Sequence, residues 1–71
     1  PGLISRTRIL SLLENRTASA KTIGQEIGLR YAAVLYHLRL LEAEGILIRR
    51  GDKPYSWELT SMGQRRLTDS I

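Results

Sequence analysis

The sequence predicts an α+β domain of three helices, a two-stranded β-hairpin and a C-terminal helix, all within residues 1–71. Three observations predict it. Apolar residues recur at spacings of three and four through three stretches between residues 3 and 44, which is the helical period. A glycine at position 28 interrupts that pattern between the second and third stretches. Beyond Gly45 the period changes to two, on either side of the turn cluster Gly51-Asp52-Lys53-Pro54.

Composition narrows the function. A chain of 71 residues holds one small domain with a modest buried fraction. It contains no cysteine and a single histidine, so disulfides and thiolate metal sites are excluded and a structural zinc site is not expected. No apolar run approaches the roughly 20 residues that span a bilayer, and the N-terminus lacks a signal-peptide pattern. It opens on Pro1-Gly2 rather than methionine, which reads as a processing remnant or as a domain cut from a longer protein. Eleven basic residues against seven acidic ones give a formal charge of +4. That balance suits an anionic partner, although many small domains carry similar charge for solubility. The acids are scattered, and no nucleophile, base and orienting group come together in the sequence, so no enzymatic activity is expected.

Leu3 to Glu14 reads as the first helix, with Ile9, Leu10 and Leu13 as its apolar patch. Arg6 and Arg8 near its start would reach phosphate or form a solvated basic face. Leu3 and Leu12 look surplus to an internal core, which on so short a chain points to a partner surface. Ala18 to Ile27 reads as the second helix, capped by Ser19 or Thr17, with Ile23 and Ile27 as anchors and Ala20 beside them. Gly24 costs about 1 kcal/mol inside a helix, a cost explained by close approach of another helix. Lys21 and Gln25 lie on the outer side, where a phosphate backbone would pass.

Gly28-Leu29-Arg30 makes a short turn into a third helix that ends at Gly45, the helix-turn-helix arrangement. Val34, His37, Leu38 and Leu41 form its inner stripe, and His37 reads as a packing residue within it. Arg30, Tyr31, Ala32, Tyr36 and Arg39 lie mostly off that stripe. Glu42 and Glu44 load the end where the helix dipole disfavours acid, and they would repel phosphate. The N-terminal half is therefore the half expected to dock.

Ile46 to Arg50 and Tyr55 to Leu59 form the hairpin, with Tyr55, Trp57 and Leu59 on one face and Ser56 and Glu58 on the other. Tyr55 and Trp57 read as hairpin core. Arg49 and Arg50 point to opposite faces, and Arg50, nearer the turn, is the stronger phosphate candidate. Thr60 caps the last helix, in which Met62 and Leu67 are the inner candidates; Leu67 and Ile71 are expected against the first helix or at an interface.

Three segments carry a resemblance: TASAKTIGQEIGLR, VLYHLRLLEAEGIL and YSWELTSMGQRRL. Their most specific parts are the xHLxxLExxGxL pattern from Tyr36 to Leu47 and the LTxxG segment from Leu59 to Gly63. In these the chain resembles the winged helix-turn-helix domains of ArsR-like and MarR-like transcriptional regulators of bacteria and archaea. The resemblance implies that Arg30, Tyr31, Ala32, Leu35, Tyr36 and Arg39 face the major groove of double-stranded DNA. Arg49, Arg50 and Lys53 would sit on the wing, with Lys21 and Gln25 against the backbone. It implies no cofactor, and the paired metal ligands of the metal-sensing branch are missing.

The chain departs from that family in its recognition helix. Many members place Ser or Thr where Arg30, Ala32, Ala33 and Leu35 stand here, so hydrogen-bonding capacity toward base edges is thin. Leu35 would meet a thymine methyl or a protein. The expected function is DNA binding as a transcriptional regulator, in the cytoplasm at the nucleoid, as a homodimer through the first and last helices. The alternative is an accessory winged-helix domain of a larger replication or transcription protein, such as an archaeal replicative helicase, with protein contacts and weak or no DNA binding.

Overall fold

The computed structural model describes residues 2–69, and the side chains of residues 4–65. Six elements follow in order: α1 (Gly2–Leu12), α2 (Ala20–Ile27), α3 (Tyr31–Ala43), β1 (Leu47–Arg50), β2 (Ser56–Leu59) and α4 (Ser61–Asp69). This is the expected α+β order, helix boundaries included to within a few residues.

One core joins five of them. Ile9 and Leu13 from α1 and its end, Ala20 and Ile23 from α2, and Val34, Leu38 and Leu41 from α3 are buried. Ile46, Leu47 and Trp57 close it from the hairpin side. Each buried Ile, Leu or Val side chain among them contributes about 1.5–3 kcal/mol. The inner stripe of α3 is thus as the spacing requires, and His37 on it is half-buried with its ring edge-on to Tyr36 at 5.4 Å. Ile27 is only partly buried, so Ile23 carries the α2 contact.

Local chemistry sets the boundaries. The Ser19 hydroxyl accepts from the Thr22 amide at 3.2 Å and caps α2. Gly28, at φ 74° and ψ 37°, ends it, with its own amide and that of Leu29 donating to the Gly24 carbonyl. A Cβ on Gly24 would stand 2.8 Å from the Leu29 carbonyl oxygen and 3.4 Å from Val34, so the close approach there is made by the turn as well as by α3. At the end of α3 the Ile46 amide reaches the Leu41 carbonyl (2.9 Å) and the Gly45 amide the Glu42 carbonyl (3.0 Å). These paired bonds satisfy carbonyls that a helix end leaves open.

β1 and β2 pair antiparallel, with Leu47 opposite Leu59 and Arg49 opposite Trp57. Thr60 then fastens α4 to the α3–β1 turn. Its hydroxyl donates to the Gly45 carbonyl (2.6 Å) and accepts from the Gly63 amide (3.0 Å), while its own amide donates to Ile46 (3.0 Å).

Several expectations are corrected. Ala18 is not helical: it exchanges both backbone hydrogen bonds with Trp57, adding a one-residue third rung beside β2. Leu12 is not surplus, because it packs against the core together with Leu10. Met62 is not an inner residue; it is 44% exposed, because α4 turns Gly63 rather than Met62 toward Ile46. Arg6 is not a free basic residue but grips Glu44 with two bonds of 2.8 and 2.7 Å. The side chains of Leu3 and Leu67, and Ile71 as a whole, lie outside the described residues, and so does the contact expected of them.

Candidate nucleic-acid interface

The start of α2, the outer face of α3 and the hairpin enclose an open groove of about 660 Å³. Ser19, Ala20 and Lys21 form one wall. Tyr31, Leu35 and Arg39 form the second, and their spacing of four puts them in one row along α3. Arg49, Lys53, Pro54, Tyr55 and Trp57 supply the third. The Lys53-Pro54 peptide is cis.

The groove is basic and aromatic. Four of its lining residues are cations, from α2, α3, β1 and the wing turn, and none is acidic. Tyr31 is 59% exposed, whereas Trp57 is 2% exposed and contributes little open surface to the groove. The Arg49 guanidinium lies 4.8 Å above the centre of the Tyr55 ring, a cation–π arrangement that holds it along the hairpin.

Among the described residues, carboxylates outside the groove engage four arginines, of which only Arg49 lines it. Glu42 reaches Arg49 at 3.2 Å, Glu58 pairs with Arg50, Glu26 with Arg16 at 3.0 Å, and Glu44 with Arg6. The two acids at the end of α3, unfavourable to its dipole, thus tie that end to β1 and to α1. The bidentate bond to Glu44 raises the Arg6 pKa above its ordinary value. Among the described residues, Lys21, Arg39 and Lys53 have no ion pair, so the groove keeps its charge.

Of the candidates from the sequence, Lys21, Tyr31, Leu35, Arg39, Arg49 and Lys53 meet in this groove. Gln25, Arg30, Ala32, Tyr36 and Arg50 do not line it. Gln25 is exposed on α2, Arg30 is the exposed N-cap of α3, and Ala32 and Tyr36 are exposed farther round that helix. Arg50 shares the opposite hairpin face with its partner Glu58, so Arg49 rather than Arg50 is the groove arginine. Ser19, Ala20, Pro54, Tyr55 and Trp57 were not foreseen as site residues. For Tyr55 the available signal was its place beside the turn, two residues before Trp57, the partner of Arg49 in the strand pairing.

A helix-turn-helix pair followed by a hairpin that walls the outer face of its second helix defines a winged helix-turn-helix domain. No protein-family model and no curated protein matches the chain. Among solved structures, the Zα domain of Carassius auratus PKZ, determined in complex with Z-DNA, aligns with a TM-score of 0.78 and 30% identity over 83% of this chain and 97% of that one. At that identity and coverage the chain belongs to the Zα family of winged-helix domains.

Transcriptional regulators share the fold at lower identity. BldR of Sulfolobus solfataricus matches with a TM-score of 0.85 and 20% identity, covering 94% of this chain and 51% of that one. The MarR family regulator SPO1453 of Silicibacter pomeroyi matches at 0.83 and 16%, covering 93% and 49%. The expected likeness to such regulators holds for the fold, and the chain spans about half their length. Among the described residues no group of His, Asp or Glu is arranged to hold a metal ion, and no helix is long and apolar enough to cross a membrane.

Proposed function

We propose that this chain binds double-stranded DNA in the groove between α3 and the wing, and that it selects the left-handed form of the duplex. The carrying observation is the makeup of the groove: cations on separate elements, aromatic rings between them and very little base-reading chemistry. Lys21, Arg39, Arg49 and Lys53 are placed to follow a phosphate backbone, the source of salt-dependent affinity. The outward side of α3 offers Ala32, Leu35, Tyr31 and Tyr36, which have little capacity to distinguish one base pair from another. A surface of this kind recognises shape, and the relative at 30% identity is bound to Z-DNA.

A sequence-specific regulator inserting residues 30–44 into a right-handed major groove is the second reading, supported by the fold shared with BldR and SPO1453. Arg30 and Tyr36 would then contribute beside the groove. Homodimerisation through α1 and α4, and a place at the nucleoid in the cytoplasm, belong with that reading. Titration of an alternating dC-dG duplex and a random-sequence duplex, followed by circular dichroism at two salt concentrations, tests the proposal. Salt-weakened binding with inversion of the dC-dG spectrum supports left-handed selection. Binding to both duplexes with unchanged spectra supports the regulator. No binding to either at low salt overturns both and leaves a protein-contact role in a larger assembly.

A further inference from the structure

We propose that Glu42 is a built-in competitor for phosphate, holding Arg49 until a duplex takes its place. The inference rests on the binding reading above. Arg49 is the one groove cation with an ion pair among the described residues: its Nε lies 3.2 Å from Glu42 Oε2, while Lys21, Arg39 and Lys53 have none. Glu42 is on the last turns of α3 and does not itself line the groove, so it reaches Arg49 from the rim. Both side chains are partly open to water, at 45% and 32% exposure, so exchange of one oxyanion for another requires no repacking. The Tyr55 ring under the guanidinium keeps Arg49 beside the groove whichever partner it has. A carboxylate and a phosphate oxygen accept from the same guanidinium edge, which makes the exchange chemically direct. Glu42 therefore lowers the affinity of the groove for a duplex by the free energy of the pair that the phosphate must displace.

A double-mutant cycle tests this with the alternating dC-dG duplex. Glu42→Gln removes the competing charge and raises affinity about two- to fivefold, the range of an exposed ion pair. Arg49→Gln lowers the log–log salt slope by about 0.9, one phosphate contact. In Arg49→Gln the gain from Glu42→Gln disappears. Thermal melts confirm that each variant is folded. A gain that persists without Arg49 is a general charge effect and overturns the proposal, as does the absence of any gain or an unchanged slope in Arg49→Gln. Wild-type chain that binds no duplex at low salt overturns the binding reading and the competitor with it.

Discussion

Ala18 and Trp57 exchange both of their backbone hydrogen bonds, at 3.2 and 2.8 Å, across 39 residues of chain (57 − 18). This rung couples the entrance of α2 to the wing, so the two walls that carry Lys21 and Lys53 are held at a set separation. Ala18→Pro removes one donor of the pair. A loss of about 1 kcal/mol is expected in urea unfolding, with faster hydrogen exchange at the Trp57 amide as the local sign. Unchanged exchange there would show that the rung does not hold the wing.

The Gly63 Cα faces the Ile46 backbone so closely that an added Cβ would lie 2.2 Å from its carbonyl oxygen. Gly63→Ala must push α4 away from the α3–β1 turn and strain the Thr60 bonds to Gly45 and Ile46. Overpacking of this kind costs about 1–3 kcal/mol or more, measured by urea or thermal unfolding. A substitution that melts like the wild type would mean that α4 adjusts freely.

Ser19 links the fold to the groove, because its hydroxyl caps α2 while the residue itself lines the wall beside Lys21. Ser19→Ala is expected to cost about 0.5–2 kcal/mol in unfolding experiments. Ser19→Asp retains a capping oxygen and recovers that stability, but its new charge at the groove wall weakens duplex binding. Equal binding by Ser19→Asp and wild type would place the backbone path elsewhere.

The cations divide into two groups by their partners. Lys21→Gln, Arg39→Gln and Lys53→Gln are each expected to lower the salt slope of duplex binding by about 0.9. Arg6→Gln, which only breaks the pair with Glu44, is expected to leave binding unchanged and to cost at most about 1 kcal/mol in stability. The slope is read from titrations at several salt concentrations. A loss of affinity in Arg6→Gln matching that of the groove variants would contradict the assignment.

Much of this was legible in the residues themselves. Helical periodicity, the Ser19 cap, the Gly28 and Gly45 stops and the change to period two are encoded within a few positions of each other. The order of elements, the α3 stripe of Val34, Leu38 and Leu41, and a positive charge that suits an anionic partner are all readable from residue order alone. Which basic residues remain available to that partner depends on the three-dimensional packing. Arg6 and Glu44 are 38 positions apart, and Glu42, two residues before Glu44, reaches a strand formed after the chain has reversed. The same holds for Ala18, whose helical environment in sequence yields to a rung with Trp57, and for Gly63, whose value appears only against Ile46. Local pattern cannot specify such pairings, because backbone and side-chain partners are selected by where the packed core places them in space.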